Sequence, residues 1–155
     1  MEEIKIELIF KRLKIEALSL DDRQLCDTAV RAAMRAYAPY SHFHVGAAVS
    51  LIDGTIVEGN NQENIAYPSG LCAERVALFS AGASYPEKPV TAIAIVAIKN
   101  GEVQDTIAPC GGCRQVMLET EQRYENPVRI LLCGKEDTII IQSAKDLLPL
   151  SFSKF

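Results

Sequence analysis

The sequence predicts an α/β protein, a three-layer α/β/α sandwich around a five-stranded mixed sheet. Three observations carry that expectation. Five short runs, "VGAAVSLI", "TIVEGN", "VTAIAIVAI", "VRILLC" and "TIIIQ", read as strands. Helical stretches with apolar faces stand between and around them. No repeat, low-complexity segment or linker divides the 155 residues, and 48% apolar with 23% charged content suits a chain that buries a core. The expectation is one domain over residues 1–155, with 1–18 an N-terminal arm or extra edge strand.

Taken in order, Ile4, Ile6, Leu8 and Phe10 alternate with charged or solvent-tolerant neighbours, which predicts an extended arm or edge strand. "SLDDRQLCDTAVRAAMRAY" follows as a helix. Ser19 can cap it, Asp21 and Asp22 suit its positive end, and Leu25, Ala29, Ala33 and Tyr37 share one face before Pro39 ends the run. Cys26 lies one position from that stripe and reads as a small core residue. Asp53-Gly54 makes a tight turn between the first two strands. "NQENIAYPSG" is polar, carries Pro68 and Gly70, and is loop; a helix opens from Cys72. After "VTAIAIVAI", Asn100-Gly101 turns the chain, and Pro109 leads into a third helix. Two further strands flank "GKED", and "AKDLLP" is a short final helix.

The balance of charge excludes some functions. A net charge of −4, with Lys and Arg scattered, argues against a nucleic-acid groove. "MEEIKIELIFKRLKIEAL" interrupts its apolar residues with charge too often for a signal peptide, and no run approaches membrane-spanning length. The expected setting is therefore cytoplasmic, without nucleic acid or membrane as partner. Five cysteines, an odd number, in a reducing compartment argue against a disulfide framework and for metal or catalytic use of some.

"PCGGCRQ" at 109–115 places Cys110 and Cys113 about one helical turn apart if the helix starts at Pro109. Cys72 likewise follows a loop and opens a helix, so a third thiol meets a positive helix end. Both helices are expected to emerge from one end of the sheet, and three sulfurs select zinc over magnesium or calcium. With three protein ligands the site has catalytic character; a fourth would make it structural. Cys133, His42 and His44 are the residues left to supply a fourth, and a redox pair at Cys110 and Cys113 is the competing use. Glu74 tips the balance toward catalysis. With Cys72 at the cap, a carboxylate two residues on can reach water at the metal without ligating it. Otherwise Glu74 merely complements the helix dipole.

"CAE" at 72–74 followed by "PCGGC" at 109–113 resembles the signature of the zinc nucleoside and nucleobase deaminases. "YAPYSHFHVGAAV" at 37–49, "NQENIAYPSGLCAER" at 61–75 and "LLPLSF" at 147–152 are similar to the short, homotetrameric cytidine deaminases of the three-cysteine type. The resemblance runs in order from about residue 20 to residue 152 and leaves out the first 18. It implies one Zn2+ per subunit on Cys72, Cys110 and Cys113, with Glu74 as proton shuttle. It implies a substrate pocket with Asn61 and Glu63 on the ribose, Phe43 against the base, Tyr67 lining the pocket, and the backbone of Ala73 on the base carbonyl. The implied reaction is zinc-dependent hydrolytic deamination of cytidine and 2′-deoxycytidine to uridine, 2′-deoxyuridine and ammonia, in pyrimidine salvage. A homotetramer with Phe152 near a neighbouring subunit's site is implied as well.

Three thiolates pose an electrostatic problem, because they leave zinc with a net charge of −1 and weaken it as a Lewis acid. Arg75, three residues beyond Cys72 and on the same helical face, is the expected compensation through charge-assisted hydrogen bonds to sulfur. Competing readings are a deaminase for a modified cytosine nucleoside, a polynucleotide editor, and a non-catalytic zinc-stabilised module.

Overall fold

Which helix covers which face of the sheet follows from strand alternation. A computed structural model describes residues 1–153. Its strands are β1 (Lys11–Lys14), β2 (His44–Leu51), β3 (Ile56–Asn60), β4 (Val90–Lys99), β5 (Glu102–Val103), β6 (Arg129–Cys133) and β7 (Asp137–Ile141). Its α-helices are α1 (Leu20–Ala33), α2 (Ala73–Ser84) and α3 (Gly111–Tyr124). Along β4, Ile93 and Ile95 face a core shared with Ala73, Ala77 and Leu78 of α2 and Met117 of α3. The alternate residues Ala94, Val96 and Ile98 face Leu25, Ala29 and Ala33 of α1. That period-two division produces the three layers.

The sheet runs β1-β7-β6-β4-β2-β3, with β5 folding back on β4 through Asn100 (φ 53°) and Gly101 (φ 77°). Neighbours pair antiparallel except β4 with β6, which are parallel and joined through α3. Both β3 and β4 pair antiparallel with β2, so they run in the same direction. The chain segments that leave them therefore depart from the same end of the sheet. Those segments lead to α2 and α3, and this relation positions the site.

Two strands lie beyond the five expected. β5 is a two-residue hairpin arm. β1 occupies an edge against β7 at Lys11–Lys14, whereas the alternation at Ile4–Phe10 predicted pairing further upstream. β7 is the reason. Four of its five residues are matched, from Lys14↔Asp137 to Lys11↔Ile140, so little partner edge remains for the earlier residues. Residues 1–10 form no helix or strand.

Helix α1 is capped as expected, with the Ser19 side chain accepting from Asp22 N–H at 3.1 Å, but it ends at Ala33, ahead of the expected stop. Beyond it, Tyr37 N–H donates to the Asn61 carbonyl and Glu63 N–H to the Tyr37 carbonyl. That bridge fixes the stretch before Pro39 as extended chain, a geometry the residue preceding a proline favours. Tyr37 is accordingly exposed and leaves the stripe. The final helix is a single 3-10 turn, Ala144–Leu147. Cys26, expected as a small core residue, and Cys133, left as a possible fourth ligand, instead form a disulfide between α1 and β6, with Cα atoms 6.2 Å apart, against the expectation of thiols in a reducing setting. Both are buried where α1 crosses the end of β6, so the fold itself brings the sulfurs together.

Helix α2 sits unusually close to β3. A Cβ on Gly59 would lie 2.4 Å from Ala77 N and 2.6 Å from Ala73 O, both backbone atoms. Gly59→Ala is therefore expected to lower stability by about 3 kcal/mol and the melting midpoint by roughly 6–12 °C. Gly112→Ala, where nothing lies within 4 Å, is expected to change the same melting curve by under about 1 kcal/mol.

Candidate metal centre and substrate cleft

Cys72 and Cys110 are the residues just before α2 and α3, both in extended backbone conformation at the cap position. A side chain there points back over the first turn, where backbone N–H groups lack intrahelical partners. The capping position of Cys72 is the arrangement that lets Glu74 share its side of the helix. Helix α3 starts two residues later than the proline suggested, so Cys110 is a cap and Cys113 lies in the first turn. The two sulfurs still approach, at 3.5 Å, and Cys72 Sγ is 4.0 Å from Cys110 Sγ. All three sulfurs lie within 4.8 Å of one another.

Sulfurs around a tetrahedral zinc ion, each about 2.3 Å from it, are ~3.8 Å apart. The three cysteines therefore match zinc in donor type and in spacing. Among the described residues no other His, Cys, Asp or Glu joins this group. Cys133 is committed to Cys26 in the core on the α1 side of the sheet and does not close the site. Burial, followed by the charge of Glu74, pushes the Cys113 thiol far up, so a bound cation is what would ionise it.

Glu74 is 4% exposed. Burial raises its pKa above the ordinary carboxyl value, opposed by hydrogen bonds from its own backbone amide and from Cys113. Arg75 points its guanidinium back at the sulfurs, with Nη2 3.5 Å from Cys72 Sγ. That hydrogen bond is the largest cause of its raised pKa.

A cleft of about 290 Å³ opens beside Cys72 and Arg75 and is lined by Asn61, Glu63 and Tyr67 among others. Asn61 Oδ1 accepts from Val45 N–H at 2.7 Å, and its Nδ2 donates to the Phe43 carbonyl at 3.0 Å. Glu63 accepts from Tyr40 N–H at 2.9 Å, from Ser41 N–H at 3.2 Å and from the Ser41 hydroxyl. The Ser41 bond, the leading cause, holds Glu63 below the usual carboxyl pKa. Each side chain keeps spare capacity, since a carboxylate offers about four acceptor sites and an amide two donors and two lone pairs. Phe43 is half-buried at the threshold of β2 and is not among the lining residues, while Ala73 is fully buried at the first turn of α2.

Sequence reasoning missed Tyr40, Gln62, Asn64 and Leu71, which also line the cleft. Gln62 and Leu71 exchange backbone hydrogen bonds at 2.9 and 3.0 Å and close the loop that delivers Cys72. Pairing across a polar loop leaves no periodic signal. Arg114 and Gln115 hold the C-terminal segment: Arg114 donates to the Pro109 and Leu147 carbonyls, and Gln115 donates to the Phe152 carbonyl at 2.9 Å.

Residues 19–125 match the family model described as the cytidine and deoxycytidylate deaminase zinc-binding region. A cytidine deaminase of Sporosarcina psychrophila is 39% identical over 135 residues, spanning 87% of this chain and 93% of the relative. One from Halalkalibacterium halodurans is 45% identical over 100 residues, 64% of this chain and 72% of the relative. The crystal structure of a Burkholderia pseudomallei cytidine deaminase superposes with a TM-score of 0.69 at 42% identity, covering 83% of this chain and 97% of that one. A Mycobacterium tuberculosis cytidine deaminase gives the same TM-score at 34% identity, covering 88% and 100%.

Metal analysis of the purified chain is expected to find one zinc per chain. Cys113→Ser is expected to weaken zinc binding roughly 100-fold or more, and chelation to lower the melting midpoint of the parent protein. Cys133→Ser is expected to retain the metal.

Proposed function

The chain belongs to the cytidine and deoxycytidylate deaminase family, as an enzyme of the cytidine deaminase class with zinc as cofactor, and on that premise we propose that it hydrolyses cytidine and 2′-deoxycytidine to uridine, 2′-deoxyuridine and ammonia. The observation that carries the reading is a buried carboxyl, Glu74, beside three converging sulfurs, of which Cys72 lines a cleft together with Asn61 and Glu63. Cys72, Cys110 and Cys113 hold the ion. Zinc, when bound, supplies the Lewis acidity that makes water nucleophilic near neutral pH.

Glu74 performs the proton transfers. Its carboxylate takes a proton from the attacking water and delivers it to the ring nitrogen next to the amino-bearing carbon. It then passes the water's remaining proton to the departing amine, so that ammonia leaves and a carbonyl remains. Burial supports this cycle, because it brings the neutral and ionised carboxyl closer in free energy. The Ala73 backbone meets the base carbonyl, Phe43 and Tyr67 flank the base, and Asn61 and Glu63 hold the sugar. A hydroxyl common to ribose and deoxyribose gives both nucleosides the same handle. Arg75 draws charge from the thiolates and keeps three sulfurs compatible with a metal that must remain electrophilic.

We place this activity in pyrimidine salvage in the cytoplasm. Among the described residues no helix is long and apolar enough to cross a membrane. Assembly as a homotetramer is supported by exposed apolar side chains: Phe79, beside Leu78 and Val116 in a groove between α2 and α3, and Leu150 and Phe152 on the C-terminal segment. Gln115 holds that segment by the Phe152 carbonyl and leaves Phe152 exposed, in keeping with a place near a neighbouring subunit's cleft.

An ultraviolet assay following loss of cytidine and deoxycytidine tests the reaction. Glu74→Gln is expected to keep one zinc per chain and lose at least about 10³-fold in kcat, since both proton transfers fail. Retained turnover in that variant contradicts the mechanism. Arg75→Gln is expected to keep zinc and lower kcat about tenfold with KM within about twofold, and Arg75→Lys to recover part of the loss. Glu63→Gln is expected to raise KM by roughly 10–100-fold for both nucleosides, as loss of a charged hydrogen-bond partner would.

A further inference from the structure

The alternating side chains Ile4, Ile6, Leu8 and Phe10 belong to neither core of the single copy and stay substantially exposed. Ile4 is 84% exposed, and the other three are between 41% and 49% exposed. Lys5 and Glu7 form an ion pair at 3.6 Å, as residues two apart on one face of an extended strand do. Glu3, Lys5 and Glu7 thus share one face, which ends at the exposed Ile9, and Ile4, Ile6, Leu8 and Phe10 share the other; neither core includes any of them. We infer that this arm pairs with the arm of a second copy as an antiparallel two-stranded ribbon centred on Ile6.

Register follows from charge. Directly opposed residues in an antiparallel pair lie on the same face, so apolar-to-apolar matching requires a residue to sit on the two-fold axis. Centred on Lys5, the ribbon would oppose Lys5 to itself and Glu3 to Glu7. Centred on Glu7 it would oppose Glu7 to itself, and centred on Leu8 it would oppose Lys5 to Lys11; centred on Ile4 it would match Lys5 with Glu3 but leave Leu8 opposite no residue. Centred on Ile6, Lys5 of each copy faces Glu7 of the other, Ile4 faces Leu8, and Ile6 faces Ile6. That register has two opposite-charge pairs and no like-charge pair, where each cross-strand pair is worth roughly 0.2–1 kcal/mol. β1 does not compete for the same pairing. Its Lys11, Arg12 and Lys14 would be brought close to the same basic residues of the second copy in a symmetric edge-to-edge contact, and basic edge strands resist such joining.

A two-stranded ribbon is marginal by itself. Its stability depends on the high effective concentration that other subunit contacts provide, so this inference rests on the self-assembly proposed above.

The test uses the zinc-loaded full chain carrying Ile6→Cys, oxidised with glutathione disulfide and followed on non-reducing gels, with the unsubstituted chain as background. Ile6→Cys is expected to form covalent dimers about tenfold faster than Leu8→Cys, whose copies are not opposed. Co-expressed Ile4→Cys and Leu8→Cys chains are expected to form the mixed dimer. Adding Lys5→Glu to Ile6→Cys is expected to slow coupling roughly two- to tenfold, and Lys5→Glu with Glu7→Lys to restore it. Equal rates for Ile6→Cys and Leu8→Cys, or indifference to Lys5→Glu, overturn the ribbon. Light scattering separates the two readings: a tetramer without Ile6→Cys coupling overturns the ribbon alone, and a monomer without coupling overturns both. Because the ribbon rests on assembly, coupling through Ile6→Cys in a chain that light scattering finds monomeric is collisional and overturns the ribbon together with the tetramer.

Discussion

The parallel relation of β3 and β4 is the constraint on which the site depends. Because both pair antiparallel to β2, the chain leaves both at one end of the sheet, and the segments that follow turn there into α2 and α3. Each turn ends in a cysteine at a cap, so two sulfurs meet above one sheet end and Cys113 joins them from the first turn of α3. The sulfurs approach because the topology supplies two helix starts side by side, and distant parts of the sequence contribute to a single cluster. Close packing keeps them there. Gly59 lets α2 lie against β3 with backbone atoms nearly touching, and Glu121 of α3, buried, accepts from Val128 N–H, Ala144 N–H and the Ser143 hydroxyl.

Electrostatically the site gathers negative charge and then offsets it. Three thiolates and a carboxylate within one small volume would repel, and burial adds a desolvation penalty to each ionised group. The compensations visible in the fold are local: unpaired N–H groups at two helix starts, and the Arg75 guanidinium on Cys72. Glu63 is managed separately. The Tyr40–Ser41 backbone amides and the Ser41 hydroxyl satisfy it, and they keep it ionised at the edge of the cleft instead of at the metal. Two carboxylates in neighbouring environments thus acquire different properties, Glu74 raised by burial and Glu63 lowered by donors.

Most of what is local was legible in the sequence. Ser19 as a cap, the Asp53-Gly54 and Asn100-Gly101 turns and the five main strands are encoded within a few residues, and the structure places them as expected. Cys72, Cys110 and Cys113 were legible because metal ligation needs few residue types at fixed spacing, and Glu74 because its place follows from Cys72 at the cap. The features not legible are those decided by distant partners. Helix α1 stops at Ala33 because Tyr37 pairs with the 61–63 loop, the edge strand forms where β7 offers an edge, and Cys26 meets Cys133 because α1 crosses β6. Asn61 shows both levels in one side chain. A polar loop residue suited to a sugar hydroxyl also ties the start of β2 through Val45 and Phe43, which only the folded chain reveals.

X-ray absorption at the zinc edge of the purified protein tests the central claim most directly. The account requires three sulfur neighbours at about 2.3 Å and one lighter neighbour near 2.0 Å that is not an imidazole. Four sulfurs, or the multiple-scattering signature of a histidine ring, would contradict it, because either would mean that the protein itself fills the place the reaction needs.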